Sequence, residues 1–160
     1  MSDTHLPRGG RALPDACVAR LRAADLILHA GDFVTADVLA HLRTIGPPVE
    51  AVHGNVDDEV LRRMLPSARM VKVAGARIAM LHNAGAADGR LARMQRRFPD
   101  AHAVVFGHSH IPLHERDRAT GFQIFNPGSP TDRRRQPTHT MGEASVSEDG
   151  EVSFELIDLG

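Results

Sequence analysis

The chain has 160 residues, with 19 basic and 20 acidic side chains and a formal net charge of -1 at neutral pH. That length suits a single domain, expected over 1–160, and the balanced charge argues against bulk electrostatic binding to nucleic acid or an anionic membrane. With no Trp, no Tyr and six Phe, an aromatic platform for single strands is not expected, and one Cys rules out an internal disulfide or a thiolate-rich metal site. The anomaly is ten histidines in a chain so poor in aromatics. Met1–Gly10 carry an acid, a histidine and a proline where a leader peptide would have an apolar stretch. No apolar run approaches the roughly 18 residues of a membrane span, so a cytoplasmic, reducing setting is the default expectation.

In chain order, Pro14 precedes a helix expected over Asp15–Ala24, with Val18 and Leu21 on one face. Leu26–His29 is a short apolar run ended by Gly31, and Ala36–Thr44 suits a helix stopped by Gly46, Pro47 and Pro48. Val49–Val52 predicts a strand and Asp58–Leu65 a short helix closed by Pro66. Met70–Val73 and Arg77–Leu81 predict a hairpin turning at Gly75. Gly89–Phe98 predicts an Arg-rich helix burying Leu91, Met94 and Phe98, and Ala103–Phe106 reads as a buried strand. Beyond it only strands are expected: Ile111–Arg116, Phe122–Phe125, Thr138–Val146 and Glu151–Ile157, the last two joined by a tight turn at Asp149-Gly150. The first two thirds is thus α/β and the last third all β.

The residues that follow the apolar runs carry the chemistry. Leu26–His29 leads to Gly31-Asp32, Val49–His53 to Gly54-Asn55, Arg77–Leu81 to His82, and Ala103–Phe106 to Gly107-His108-Ser109-His110. In open α/β sheets ligands bind at the carboxyl ends of strands, where the loops converge on one crevice. Glycine before Asp32, Asn55 and His108 lets the backbone turn sharply and bring the next side chain close to a ligand. Asp3 and His5, at the start of the chain, repeat the pattern. The combined nitrogen and oxygen shell, free of sulfur, suits Mn, Fe, Ni, Co or Zn better than Ca or Mg. Seven candidate ligands exceed the needs of one four-coordinate ion and suit two ions sharing a carboxylate, about 3.5–4 Å apart.

The order Asp3-x-His5, Gly31-Asp32, Gly54-Asn55, His82, Gly107-His108-x-His110 resembles the calcineurin-like metallophosphoesterases. Gly54-Asn55-Val56-Asp57 and Asn126-Pro127-Gly128-Ser129 resemble motifs of their small, single-domain phosphodiesterase branch. The resemblance implies an α/β fold of two facing β-sheets flanked by helices, a four-layer αββα sandwich. It implies that Asp3, His5, Asp32 and His110 hold one divalent transition metal ion, manganese foremost. Asp32, Asn55, His82 and His108 would hold a second, with Asp32 as the bridge and Asn55 placed to touch a phosphate oxygen. Asp32, Asn55 and His108 are the implied catalytic residues. The implied activity is hydrolysis of phosphoesters by a metal-bound hydroxide. The expected partner is a small phosphoester, with no membrane, no strong nucleic-acid binding, and homo-oligomerisation left open. The rival reading is a non-catalytic metal-binding or protein-interaction scaffold on the same fold.

Two departures from the family pattern stand out. Many members place a His after the Gly-Asn pair to protonate the leaving oxygen; Val56 stands there and can do no proton chemistry, which favours diesters or other esters with good leaving groups. The family's Asp-x-His pair also ends an apolar first strand, whereas only Met1 and Ser2 precede Asp3. Losing about five buried aliphatic side chains at roughly 1.5–3 kcal/mol each would rival a whole domain's net stability. A missing or truncated first strand is therefore expected, with the chain beginning upstream of Met1, the favoured reading, or Asp3 and His5 hanging from a frayed end.

The remaining residues read more plainly. His29 and His53 are expected to support the ligands from behind, and His41, His102, His114 and His139 follow no pattern. Asp57 and Asp58 are expected to cap or begin the helix that follows them. Arg133–Arg135 read as a solvated charge run, Cys17 as a packed, inert thiol, and the methionines as core filler.

Overall fold

The computed structural model describes residues Met1–Gly160. Strand β1 (Ile27–His29) pairs in parallel with β2 (Val49–Ala51), Ile27 opposite Val49. Helices α1 (Asp15–Ala23), α2 (Ala36–Arg43) and α3 (Glu59–Met64) surround this pair in sequence. A second sheet has the order β3-β4-β5-β7-β6, built from β3 (Ala68–Val73), β4 (Ala76–Leu81), β5 (Ala103–Val105), β6 (Leu113–Arg116) and β7 (Gln123–Asn126). Its centre, β4-β5-β7, is parallel, and the edge strands β3 and β6 run antiparallel to their neighbours. Helix α4 (Arg90–Arg97) crosses between β4 and β5, and β8 (Thr140–Val146) forms an antiparallel hairpin with β9 (Val152–Asp158). A short 3-10 turn at Arg8–Gly10 lies outside the expected elements.

Three apolar clusters define the layers. Cys17, Leu21, Leu39, Leu42 and Leu61 of the first three helices pack on Ile27 and Ala51. Ala30, Val52, Ile78, Met80, Val105 and Val152 fill the space between the sheets. Ala79, Leu81, Val104 and Ile124 meet Met94 of α4 on the far side of the central sheet. Helix, sheet, sheet and helix thus stack in turn, as the expected sandwich requires. Because both faces are covered, β5 and β7 are buried throughout, which explains the unbroken apolar run of β5 and the Ile124-Phe125 centre of β7. The sheet nearest α1 comes as two pieces, β1-β2 and β8-β9. Between them lies an apolar cleft of about 580 Å³, walled by Leu26, Leu28, Met141 and Val146. The stacked rings of Phe125 and Phe154, 4.6 Å apart, also line it.

The first residues are not a frayed end. The Ala30 N–H donates to the Met1 carbonyl, the Asp3 N–H to Gly31 (2.9 Å), the His5 N–H to Asp32 (3.0 Å) and the Leu6 N–H to Phe33 (3.0 Å). Asp3 is 0% and His5 3% exposed. These bonds lay the chain alongside the loop that leaves β1, with a single bridge, Leu6 to Val34, regular enough to count as strand pairing.

Smaller differences concern which side chains are buried. In α1 the buried pair is Cys17 and Leu21, four residues apart, while Val18 is half-buried. The β8-β9 turn is wider than a two-residue turn: the Ser147 N–H donates to Glu151, and Gly150, at φ +80°, sits inside it. Burial pushes the Cys17 thiol up to about 11, countered only in part by the N-terminal ammonium. We therefore expect Cys17 to resist iodoacetamide at pH 8 in the native protein and to react fully in denaturant, measured by intact mass. Fast native labelling would show that α1 opens readily.

Candidate metal centre

Every loop that leaves the carboxyl end of β1, β2, β4 or β5 turns toward one crevice, and the extended first residues enter it from the side. Asp3, His5, Asp32, His108 and His110 all lie at positive φ, between +46° and +71°. Non-glycine residues adopt that region at a cost of order 1–2 kcal/mol each, and such outliers gather at functional sites. The sharp turns predicted for the preceding glycines are thus shared with the polar residues themselves. Gly31, at φ +93°, does turn the chain, but Gly54 and Gly107 are needed for room. A Cβ at Gly54 would lie 2.0 Å from Asp32 Oδ1, and one at Gly107 would lie 2.4 Å from Asp3 Oδ2.

All seven predicted side chains come together. His5 Nε2 lies 3.5 Å and His82 Nε2 3.2 Å from Asp32 Oδ2, which places Asp32 between two groups. On one side, His110 Nε2 is 3.4 Å and His5 Nε2 3.9 Å from Asp3 Oδ1. On the other, His82 Nε2 is 3.0 Å and His108 Nδ1 2.8 Å from Asn55 Oδ1. Asp3, His5 and His110 form one buried cluster of metal-ligating type, and Asp3, Asp32 and His82 a second. Asn55 and His108 are exposed and face solvent at the mouth.

The profile of the calcineurin-like phosphoesterase superfamily domain matches residues 1–149. The chain belongs to that superfamily. It is 33% identical over 135 residues to a protein of Methanothermobacter thermautotrophicus named as a probable metallophosphoesterase, covering 82% of this chain and 75% of the relative. Among solved structures, a Thermotoga maritima protein determined by NMR is 30% identical, with a TM-score of 0.73 over 99% of this chain and 96% of that one. Zinc-complexed Vps29 of Entamoeba histolytica shares the fold at 22% identity, with a TM-score of 0.76 over 99% and 97% of the two chains. The superfamily consists of metal-dependent phosphoesterases, and this member carries candidate ligands for that chemistry.

The hydrogen bonding of this phosphoesterase fits a cation at each cluster. His82 Nδ1 lies 2.8 Å from the Ala30 carbonyl and His110 Nδ1 2.5 Å from the Asp132 carbonyl, so in the neutral ring each Nδ1 carries the proton. Each Nε2 lone pair is then left facing carboxylate oxygen. His110 Nε2 and His5 Nε2 are buried with no hydrogen-bond partner. Lone pairs converging on lone pairs call for a cation between them.

A protonated His82 would meet the same Asp32 oxygen as a donor. Burial opposes ionisation of Asp32, yet the His82 hydrogen bond and charge, the Val56 N–H and His5 outweigh it and hold the carboxyl down at about 2. Burial also works against a charged His82, but Asp32 and Asp3 together raise its pKa. Burial pushes Asp3 up against the pull of His82 and His110, and pushes His5 down against Asp32.

Supporting contacts divide into expected and missed ones. His29 is fully buried, stacked on Phe33 at 3.6 Å, and accepts the Gly31 N–H at Nδ1. Burial drives its pKa well below the ordinary value, so the ring is neutral and its Nε2–H faces Thr4 Oγ1, which donates to the Asp32 carbonyl. That is the supporting role expected of it. His53 stays half-buried beside its own loop, with Nδ1 3.3 Å from the Gly54 carbonyl. The Asn-Pro-Gly-Ser loop serves the centre from below: Ser129 donates to the Asp3 carbonyl, and the Asn126 amide to Gly107. The Arg133–Arg135 run is exposed, with Arg134 paired to Asp132, as a solvated charge run should be.

Asp58 caps α3 through the Leu61 N–H as expected, but Asp57 does not cap it. Its buried carboxylate instead accepts the N–H groups of Asp32, Val34 and Gly54. Val56, barren as a proton donor, contributes its backbone N–H to Asp32 Oδ1 at 3.0 Å. Backbone donors have no residue-type signature, which is why reading residue types missed them.

Proposed function

We propose that this chain hydrolyses phosphodiesters with good leaving groups, using two divalent ions, manganese foremost, with Ni, Fe, Co and Zn as further candidates. Asp3, His5, Asp32 and His110 would hold one ion, and Asp32, Asn55, His82 and His108 the other, Asp32 being shared. The supporting observation is that Asp32 Oδ2 stands between His5 Nε2 and His82 Nε2, within 3.5 Å of each, with no proton donor obliged to be there. Bound divalent ions would supply Lewis acidity and an activated water. The chain's own part is positioning. The exposed Asn55 carboxamide is oriented by its Oδ1 contacts, leaving its amide hydrogens for a phosphoryl oxygen of the substrate. Val56 offers no side-chain proton, so the leaving oxygen must depart without an acid at that position, which selects good leaving groups.

The test is an assay of bis(p-nitrophenyl) phosphate and p-nitrophenyl phosphate with Mn²⁺ and with EDTA. We expect Mn²⁺-dependent cleavage of the diester, abolished by EDTA and restored by excess Mn²⁺, with the monoester at least about tenfold slower in kcat/KM, a 1.4 kcal/mol preference. Activity that survives EDTA would overturn the metal reading. Equal rates on both esters would overturn the diester preference.

A further inference from the structure

Asp57 is a buried carboxylate that belongs to neither ligand cluster. Oδ2 accepts the N–H of Asp32 at 3.2 Å and of Gly54 at 2.7 Å, and Oδ1 accepts the N–H of Val34 at 2.8 Å. Asp32 and Val34 lie on the loop that leaves β1, and Gly54 on the loop that leaves β2. One carboxylate thus joins the two loops that present Asp32 and Asn55. The loops are pressed together with no side chain between them, since a Cβ on Gly31 would fall 2.7 Å from the Gly54 nitrogen. From α3, Arg62 closes the arrangement: Nε donates to the Asp57 carbonyl at 2.9 Å and Nη2 to the Asn55 carbonyl at 2.6 Å.

We infer that Asp57 and Arg62 are positioning residues that set the separation of Asp32 and Asn55, and thereby the affinity for the ion held by Asp32, Asn55, His82 and His108. The inference rests on the two-ion reading above. Neither residue need touch an ion or the substrate. Asp57 fixes the backbone from which both side chains spring, and Arg62 keeps the Asn55 peptide from rotating away. A carboxylate can accept all three N–H groups at once because it has two acceptor oxygens and no donor; an amide cannot, because its NH₂ would oppose one of them. Partners that orient metal ligands in this way typically change affinity or activity by about 10–100-fold when removed.

Calorimetric titration of Mn²⁺ into the metal-free full chain tests this, with Asp57→Asn, Asp57→Ala, Arg62→Ala and the control Asp58→Ala. Wild type should bind in two steps. One step should weaken about 10–100-fold in Asp57→Ala and less in Asp57→Asn, which keeps part of the acceptor set. Arg62→Ala separates positioning from simple charge. Removing a nearby cation should by electrostatics alone tighten Mn²⁺ binding, whereas loss of positioning weakens it. Asp58→Ala removes the α3 cap, so it should lower the melting temperature while leaving both steps within about threefold of wild type. Where Asp57→Ala fails to fold by circular dichroism, Asp57→Asn and Arg62→Ala carry the test. Wild-type Mn²⁺ affinity in both, tighter binding in Arg62→Ala, or an equal loss in Asp58→Ala would overturn the inference alone. A wild-type protein that takes up no metal would overturn the two-ion reading and this inference with it.

Discussion

Asp32→Asn is expected to lower metal-dependent hydrolysis by more than about 100-fold, beyond what loss of a merely supporting partner costs. The substitution keeps the shape of the side chain and changes only its chemistry. Asp32 Oδ2 faces His5 Nε2 at 3.5 Å and His82 Nε2 at 3.2 Å, so it is the one carboxylate oxygen that touches both groups. An amide there supplies a single neutral acceptor, or turns an N–H toward the imidazole lone pairs, and in either orientation it fills the place of a cation with a weaker partner. With the NH₂ turned toward the histidines, the amide oxygen still accepts the Val56 N–H. The metal-free variant should therefore fold, with a melting temperature within a few degrees of wild type. What should vanish is the rise in melting temperature that Mn²⁺ gives the wild type, because a ligand stabilises in proportion to its affinity for the native state.

The same experiment has a pH arm whose sign follows from the charges. Asp32 is held at about 2 and stays ionised down to that pH. His82, by contrast, is raised, so a proton competes with the metal for its Nε2. Mn²⁺ affinity of the wild type should fall as the pH drops through the raised His82 value. Binding independent of pH between 5 and 8 would mean that His82 is not a ligand, and full activity in Asp32→Asn would mean that Asp32 is not the shared one.

How much of this centre was legible beforehand follows from the kind of signal each part leaves. The ends of β1, β2, β4 and β5 were readable because each short, mostly apolar run stops at a glycine or polar residue, most cleanly in β5, where all three residues are apolar and buried. Side-chain ligands were readable because only a few residue types can bind metal. The backbone contributions were not. The N–H of Val56 on Asp32 and the N–H of His108 on Asp3, at 3.0 and 3.1 Å from the two oxygens, depend on torsions that the residue names do not encode. Asp57 was misread for a related reason: a carboxylate just ahead of a helix looks like a cap, and only packing of the two loops shows that Asp58 already holds that position. The division of one sheet into β1-β2 and β8-β9 was equally hidden, since strand pairing across a long separation leaves no local pattern.

Gly54→Ala should be the most damaging single-methyl change near the centre. Its Cβ would lie 2.0 Å from Asp32 Oδ1 and 2.4 Å from the Asp32 nitrogen. The carboxylate could rotate away, but the peptide nitrogen cannot, because that N–H is tied to Asp57 Oδ2, the same oxygen that holds Gly54. The two loops must therefore separate, which carries Asp32 and Asn55 apart. Overpacking of this kind costs about 1–3 kcal/mol. We expect a lower melting temperature together with loss of at least about tenfold in Mn²⁺ affinity. Gly89→Ala supplies the contrast. Gly89 also sits at positive φ, +62°, but a Cβ there meets nothing within 4 Å. Strain at that left-handed position should cost about 1–2 kcal/mol and leave Mn²⁺ binding untouched. If both variants lose stability alike and bind Mn²⁺ like wild type, close approach of the two loops is not what builds the site. If only Gly54→Ala loses the metal, the glycine ahead of Asn55 is there because two ligand-bearing backbones must touch.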